Sequence, residues 1–392
     1  GLTFTTMAAD VPSPPVLGTN LPFDPTMLSF FRITPSDTAL YEQTRAFRLE
    51  HLLRPVGVDG WWHLDDTSQH FVCVGYGQLV GVVLFDPERR KLHQMVVHPG
   101  IRGAGVGRGL VSRVEEFALA RGMDCVELNA RHYAVPFYEK LGYVKEGEAF
   151  QEVGMDHYRM CKKLDLAAAS EARAAQAALL SDVQLREAVD TDVAALTSVI
   201  NEAYRVECFL KRGGGDRTDE AEVASLLALP EATFLVATLP AEAYAALGGP
   251  GGAAAGAAAV DGRVLVGCLL YKRKSAEAAY FGMLSVRRCC QGASLSRRLV
   301  DRAEALAREE GRERMELVIV SCRPELAVFY SRLGYKAGHT SPWPEEGKHV
   351  LEEGLRDTYF IHLSKPLGGA SAAGAVSKEE AMSPVVSEEA SE

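Results

Sequence analysis

A glycine-rich segment flanked by two arginines carries the clearest chemical signal in the chain. The residues from Met95 to Arg108 read MVVHPGIRGAGVGR, a strand pattern that passes into a tight turn and then into an amphipathic helix. The three glycines of the turn leave backbone N–H groups exposed, and the helix adds its free amides and its positive dipole end. Arg102 and Arg108 flank the turn and can donate charge-assisted hydrogen bonds. The segment therefore predicts an anion site suited to a pyrophosphate.

Two other classes of phosphate loop do not fit this segment. A nucleotide-binding P-loop needs Lys and then Ser or Thr after its last glycine, whereas Arg108 follows Gly107. A dinucleotide-binding loop needs the spacing GxGxxG in a parallel strand–helix–strand unit. Here the spacing is GxGxG, and the preceding strand pattern belongs to an antiparallel run.

A second motif, FYEKLGY from Phe137 to Tyr143, follows about 35 residues after the glycine turn. The combination of RxxGxG with this motif resembles the acyl-CoA loop of the GCN5-related N-acetyltransferase (GNAT) superfamily. The resemblance covers roughly residues 28–165 and, more weakly, residues 183–367. As a pair the two motifs are specific to that superfamily.

The resemblance implies a site for acetyl-CoA between two splayed parallel strands, here Lys91–Val97 and Cys125–Ala130. The pantetheine arm pairs with the first of these strands, and the pyrophosphate lies on the glycine turn. An amine attacks the thioester directly, and Tyr138 matches the tyrosine that protonates the leaving thiolate. No metal is expected. The cofactor-binding residues expected from the resemblance are Met95, Val96, Val97, Arg102, Gly103, Ala104, Gly105, Val106, Gly107, Arg108 and Arg131.

An amine that is protonated cannot attack, so a base or a water relay is expected as well. His93 lies two residues before Met95 on the same strand, and we expect the two side chains on one face. His157 and Glu152 are the alternatives, and each histidine could equally be structural. Arg131 could bind the cofactor or the substrate, or cap a strand end.

An internal repeat determines the architecture. The segment from Ile101 to Val111 resembles that from Cys290 to Val300 at an offset of 189 residues, and FYEKLGY matches FYSRLGY, which begins at Phe329, at an offset of 192. Two unrelated segments would rarely match twice at nearly the same offset, so we interpret the chain as a tandem duplication.

Each copy has a hairpin, a strand, a helix, a further strand and a short helix. This order predicts an α/β (α+β) fold with a mixed sheet. We therefore expect two tandem acyl-CoA N-acyltransferase (GNAT) domains, each with a splayed central sheet. The expected divisions are a flexible Pro-rich tail (1–27), a first GNAT domain (28–165), an Ala-rich helical linker (166–182), a second GNAT domain (183–367) with a Gly/Ala insertion (248–260), and a disordered acidic tail (368–392).

The composition restricts the class of protein. With 392 residues and a net charge of −10, the chain lacks the basic footprint of a nucleic-acid binder. No stretch approaches the ~20 apolar residues that cross a membrane. Eight cysteines occur without a CxxC pair, which excludes common zinc spacings and fits a reducing compartment. We expect a soluble cytoplasmic protein, with an organelle as the alternative.

The two copies differ in the loop. Ser294 and Ser296 replace Gly105 and Gly107, and serine crowds the phosphate cradle. We therefore expect an N-acetyltransferase that is active in the first domain on a small-molecule amine or a protein amino group. The alternative is a pseudoenzyme that serves as a binding or structural subunit of a larger complex. A monomer with an internal pseudo-dimer is a plausible assembly.

Overall fold

The structure is a computed structural model, and it describes residues 27–60, 62–210, 215–250, 262–291, 294–345 and 357–368. The predicted Pro-rich tail, Gly/Ala insertion and acidic tail lie outside these residues except at their edges. Within the described part, the strands form two seven-stranded sheets.

The first sheet is mixed, with one parallel pair at its centre. Its strands, in spatial order, are β1 (Leu28–Ile33), β2 (Gln69–Gly75), β3 (Gln78–Asp86), β4 (Lys91–Val97), β5 (Cys125–Arg131), β7 (Met155–Lys163) and β6 (Val144–Glu152). Its helices are α1 (Thr38–Arg48), α2 (Val106–Ala120) and α3 (Val135–Glu139).

Helices cover both faces of this sheet, which explains the continuous apolar runs in β2 and β3. Alternate residues of the two strands face opposite sides. Val72 and Val82 pack in one cluster with Leu40 of α1. Phe71 and Val83 pack with the apolar stripe of α2, which comprises Leu110, Val111, Val114 and Ala118.

The second sheet repeats this plan. Its strands, in spatial order, are β13 (Lys336–Pro342), β14 (Tyr359–Pro366), β12 (Arg314–Val320), β11 (Ala278–Val286), β10 (Arg263–Arg273), β9 (Ala232–Pro240) and β8 (Gln184–Glu187). The helices of this half are α5 (Val193–Tyr204), α6 (Glu220–Leu227), α7 (Ala241–Ala246), α8 (Leu295–Glu309) and α9 (Pro324–Arg332). The central parallel pair is β11 with β12.

The Ala-rich segment between the two sheets is helical. Asp165 is the N-cap residue of helix α4 (Leu166–Ser181), and its side chain accepts a hydrogen bond of 2.9 Å from the Ala168 amide. Most of the helix is exposed, and Leu180 near its end is buried in the core of the second half. No helix among the described residues is long and apolar enough to cross a membrane.

The turn between β2 and β3 differs from the expected one. The alternation of residues in Phe71–Gly75 and Leu79–Phe85 predicts a turn at Gly77-Gln78, but Gly75 pairs with Gln78, so the turn residues are Tyr76 and Gly77. Both have positive φ, at 53° and 74°, as a type I′ hairpin turn requires. The alternation of strand residues alone did not define this register.

The hairpin turn packs against the second half of the chain. Met27 and Tyr76 form a buried cluster with Phe209 and Leu210, and Cys322 packs against it. Met27 was expected to be the last residue of a flexible tail. That expectation was wrong for Met27, because only 7% of its surface is exposed.

Candidate active site

The two central strands of the first sheet separate shortly after they pair. Strands β4 and β5 have only two paired positions, Lys91 with Glu127 and Leu92 with Leu128. Beyond Leu92 the strands diverge, as expected from the resemblance. The backbone of β4 on this side therefore has no strand partner within the described residues.

A β-bulge lies where the strands separate. The pairing of β3 with β4 passes from Val82–Val96 to Leu84–His93, so Gln94 and Met95 together lie opposite a single residue. Gln94 has φ of 46°. The expected same-face placement of His93 and Met95 assumed a regular strand, and the bulge breaks that alternation. All the residues from His93 to Val97 consequently line one cavity.

The glycine turn leads into α2 as predicted. Gly103 and Gly105 have φ of 85° and 86°, a conformation that glycine adopts without steric cost. Gly105 is the residue before α2 and carries no side chain to cap it, so the first amides of the helix remain available. Arg102 and Arg108 are exposed, and neither guanidinium has an ion-pair partner in the part of the chain that the structure describes.

A cavity of about 610 Å³ joins the glycine turn to the separated strands. It is lined by the predicted catalytic residues Tyr138, His93 and His157, and by the predicted cofactor residues Met95, Val96, Val97, Arg102, Gly103, Gly105, Val106, Gly107, Arg108 and Arg131. Ala104 is placed differently, because it packs against the apolar core of this half. The structure thus brings every other predicted site residue to one cavity.

Tyr138 lies in α3 with its ring buried and its hydroxyl directed at β4. Its Oη is 3.9 Å from the Met95 sulfur atom. Burial raises the pKa of the Tyr138 hydroxyl well above its ordinary value, so the group keeps its proton at neutral pH. Proton donation by this hydroxyl is therefore chemically available at the point where β4 and β5 separate.

A hairpin tip brings two further groups to the cavity. Strands β6 and β7 meet at Val153 and Gly154, Glu152 comes directly before this turn, and His157 lies in β7 three residues after Gly154. The Glu152 carboxylate accepts a hydrogen bond of 3.0 Å from the Asn129 side chain. His157 Nδ1 lies 3.0 Å from the Met155 carbonyl oxygen. Because a carbonyl can only accept, Nδ1 carries the proton and Nε2 holds the free lone pair of a neutral ring.

His93 is neutral because it is buried. Burial, with a contribution from Lys91, lowers the pKa of His93 to about 4. Its Nε2 is buried and has no hydrogen-bond partner among the described residues. The ring is therefore an uncharged acceptor at neutral pH, although a weakly basic one.

The two arginines that precede the tyrosine helices have different surroundings. Arg131 donates a hydrogen bond of 2.9 Å to the Tyr133 hydroxyl and lines the cavity. Its counterpart Arg323 is 9% exposed and binds Glu207 at 2.6 Å and also Glu325. Arg131 thus ends β5 beside an open cavity, whereas Arg323 lies three residues beyond the end of β12 and is held in an ion-pair cluster.

Sequence reasoning missed part of the cavity wall. His51, Leu52 and Leu53 lie in a π-helical turn (Leu49–Leu53) that follows α1 and reaches the cavity. A π-helical turn has no characteristic sequence period, so this segment could not be predicted from the sequence. No group of three metal-ligating side chains occurs among the described residues.

Comparisons with known proteins agree with this architecture. A sequence profile described as "Acetyltransferase (GNAT) domain" matches residues 45–164 and 218–349. A protein of Methanocaldococcus jannaschii, named as an uncharacterized N-acetyltransferase, is 31% identical over 116 residues. That alignment covers 26% of this chain, and the chain spans about half (49%) of the relative's length.

Solved structures also match parts of the chain. A putative N-acetyltransferase from Lactobacillus plantarum matches at 22% identity with a TM-score of 0.32, over 35% of this chain and 99% of that one. An acyl-CoA N-acyltransferase from Pseudomonas aeruginosa matches at 21% identity with a TM-score of 0.30, over 34% of this chain and 99% of that one. Because the profile matches together span more than half of its residues, the chain belongs to the GNAT acetyltransferase family and carries two domains of that family in tandem.

Proposed function

We propose that the first domain is an acetyl-CoA-dependent N-acetyltransferase that acts on a small-molecule amine or a protein amino group. The observation that carries this proposal is the single cavity that joins the glycine turn, the unpaired edge of β4 and the Tyr138 hydroxyl. These are the three parts needed to hold a pyrophosphate, to align a thioester and to protonate a thiolate.

The glycine turn fits the pyrophosphate of an acyl-CoA. A Cβ built on Gly103 or Gly105 would meet no atom within 4 Å, so the turn has open space beside both residues. The exposed guanidinium groups of Arg102 and Arg108 supply positive charge on either side. Free helix amides and two arginines form an arrangement suited to a diphosphate.

The separated strands suit the rest of the cofactor. Beyond Leu92 the edge of β4 that faces β5 is unpaired, and backbone amides and carbonyls from Met95 to Val97 are placed to bind an amide-containing arm. Acetyl-CoA supplies an activated thioester when it is bound.

We assign the proton donor to Tyr138. A thiolate leaves more readily when a proton donor is within reach, and general acids of this kind contribute about 10²- to 10⁴-fold to a rate. The raised pKa keeps the Tyr138 hydroxyl protonated, and its position near the Met95 sulfur puts it beside β4.

We assign the proton acceptor to His157 ahead of His93. The hydrogen bond to the Met155 carbonyl leaves the lone pair on His157 Nε2, as a general base requires. His93 also has a free nitrogen, but a pKa of about 4 makes it a poor base for an ammonium group. Glu152 lies at the same hairpin tip, and its negative charge favours a cationic amine at this end of the cavity.

Features of the second domain support the proposal that only the first domain has a working site. Ser294 keeps the left-handed turn of its counterpart Gly105, with φ of 59°, at a cost of about 1 kcal/mol or more for a residue with a Cβ. Arg323 is held by carboxylates, and Cys322, which follows strand β12, contacts the Tyr76–Gly77 turn of the first half. We propose that this half has become regulatory or structural.

We further propose that the functional units follow the predicted divisions at residues 28–165 and 183–367, joined by α4. We also propose a reducing compartment, the cytoplasm or an organelle, from the scattered cysteines. The oligomeric proposal remains a monomer in which the two domains form an internal pair.

The test of the function is release of CoA from acetyl-CoA with a panel of amines, which includes a polyamine, an aromatic amine, an amino acid amide and a peptide with a free N-terminus. We expect Gly105→Glu to reduce the rate at least about 100-fold, because a carboxylate then occupies the cradle. Ser294→Glu is the matched control and should change the rate less than twofold. Binding of acetyl-CoA without turnover on any amine would favour the binding-subunit alternative.

A further inference from the structure

A buried arginine lies behind the cavity at the end of α1. Arg48 has 0% of its surface exposed, and its guanidinium makes a two-pronged ion pair with Asp65, at 2.8 and 2.9 Å. Asp65 is 2% exposed. A buried charge needs such a partner, and this pair alone would satisfy that need.

The same guanidinium reaches the bulge of β4. Arg48 Nη1 donates a hydrogen bond of 2.6 Å to Gln94 Oε1. Gln94 has a left-handed backbone, and its neighbours His93 and Met95 line the cavity. Arg48 therefore contacts the side chain of Gln94, the residue of the bulge that has the left-handed backbone.

The backbone of Arg48 leads into the opposite wall. The π-helical turn that begins at Leu49 places His51, Leu52 and Leu53 in the cavity lining. The Arg48 side chain thus links the π-turn to the bulge. These two segments form the walls of the cavity that lie away from the glycine turn. π-Turns of this kind often occur at functional sites.

The second domain shows that the bulge forms without this contact. Met283 is the counterpart of Gln94, and it has the same left-handed backbone with φ of 50°. A methionine side chain offers no amide oxygen to an arginine. The hydrogen bond therefore occurs in the half with the open cavity, and it is not needed to fold the bulge.

We propose that Arg48 is a positioning residue that clamps the π-turn to the β4 bulge, and so sets the separation of the two walls between which the acceptor amine meets the thioester. This inference rests on the proposed function of the same cavity. Arg48 acts through Gln94 and Asp65 and touches neither reacting group.

The decisive variant is Gln94→Leu, because it removes the hydrogen bond and leaves the Arg48–Asp65 pair intact. We expect the kcat for amine acetylation to fall about tenfold or more, since misplacement by about 1 Å costs up to about 100-fold. The Kd for acetyl-CoA should change less than about threefold. Gln94→Glu, which keeps an oxygen acceptor for Arg48, should restore most of the kcat. Arg45→Ala is the matched control, because Arg45 binds the same Asp65 at 3.0 Å from a more exposed position than Arg48.

Hydrogen exchange provides a readout that does not depend on turnover. In Gln94→Leu, the amides of residues 49–53 and 93–97 should exchange at least about fivefold faster, with little change in β2 and β3. Unchanged exchange, or an equal effect in Arg45→Ala, would overturn the clamp whether or not the protein is active. A wild-type protein that acetylates no amine would instead remove the proposed function, and exchange would still decide the clamp.

Discussion

Burial shifts the pKa values of Tyr138 and His93 in opposite directions. The Tyr138 hydroxyl keeps its proton because its pKa is raised, and His93 remains neutral because its pKa is lowered to about 4. A proton donor and an uncharged imidazole therefore face one cavity at neutral pH. This pairing of roles follows from the surroundings of each group rather than from the residue types alone.

Replacing the tyrosine tests the proton donor at this scale. We expect Tyr138→Phe to lower kcat about 100- to 1,000-fold and to leave the KM for acetyl-CoA nearly unchanged, because only the proton donor is lost. Steady-state kinetics would measure both constants. Tyr330→Phe, the counterpart in the second domain, is the control and should leave kcat within twofold. Equal losses in the two variants would contradict the assignment.

His70 predicts a pH dependence of stability. Burial, followed by the positive charge of Arg48, lowers the pKa of His70 in the folded protein to about 4, against about 6.5 in an unfolded chain. Between these values the unfolded state binds more protons, so stability is present above about pH 6.5 and is lost as the pH falls towards 4. Denaturant titrations should show a loss of about 2 kcal/mol or less from this group between pH 7 and pH 5. His70→Gln should have a shallower dependence, and an unchanged dependence would refute the argument.

At the scale of elements, the cradle depends on how closely α2 approaches the sheet. Gly81 of β3 faces the first turn of this helix, and a Cβ there would lie 2.7 Å from the Val106 side chain and 3.0 Å from that of Leu110. Gly267 of β10 is the corresponding residue under α8, and a Cβ there would lie 3.3 Å from the Leu299 side chain. In both sheets the helix that follows the loop needs a glycine beneath its start.

We therefore expect Gly81→Val to displace the start of α2 and to weaken acetyl-CoA binding about tenfold. Overpacking of this kind also costs about 1–3 kcal/mol of stability. Gly267→Val should reduce stability similarly and leave the acetyl-CoA Kd within about twofold. Calorimetric binding and thermal unfolding of the two variants would separate these effects. The account fails here if both variants bind acetyl-CoA like the wild type.

At the scale of the whole molecule, the two halves are joined by the buried cluster at the β2–β3 turn. Tyr76 is 6% exposed and packs in one cluster with Phe209 and Leu210, which lie between β8 and β9. Cys322, which follows β12, packs against this cluster. Burial raises the pKa of the nearby Cys322 thiol to about 12, so that thiol reacts slowly. The first domain thus covers Cys322, which follows strand β12 of the second domain.

Tyr76→Ala should open this contact. Loss of a buried aromatic ring costs about 3–5 kcal/mol, and we expect the two halves to unfold less cooperatively. Mass-mapped labelling with a thiol reagent should show faster modification of Cys208 and Cys322, which border the cluster. Cys161 in β7 is the internal control and should react at its original rate. Unchanged labelling of all three would mean that the turn does not shield the second domain.

Local patterns in the sequence predicted much of this architecture. The bounds Lys91–Val97, the apolar stripe of α2 and the linker helix follow from periodicity and capping, because those signals lie within a few residues of one another. The repeat predicted the second domain by direct comparison of segments. GNAT membership was predicted from two motifs and confirmed by the profile match.

Features that depend on distant residues were not predictable. The contact of Arg48 with Gln94 joins positions 46 residues apart, and neither residue type indicates the other. The packing of Met27 and Tyr76 against Phe209 joins the two domains, where no periodic pattern applies. The bulge in β4 was not predicted, because its residue with a left-handed backbone is a glutamine, and glutamine does not indicate a positive φ.

The central claim is one working acetyl-CoA site, located in the first domain. Calorimetric titration of acetyl-CoA into the intact chain tests it most directly, with Gly105→Glu and Ser294→Glu measured alongside. The account predicts a stoichiometry of one, abolished by Gly105→Glu and retained in Ser294→Glu. Two equivalents of bound acetyl-CoA, or a single one lost only in Ser294→Glu, would contradict it.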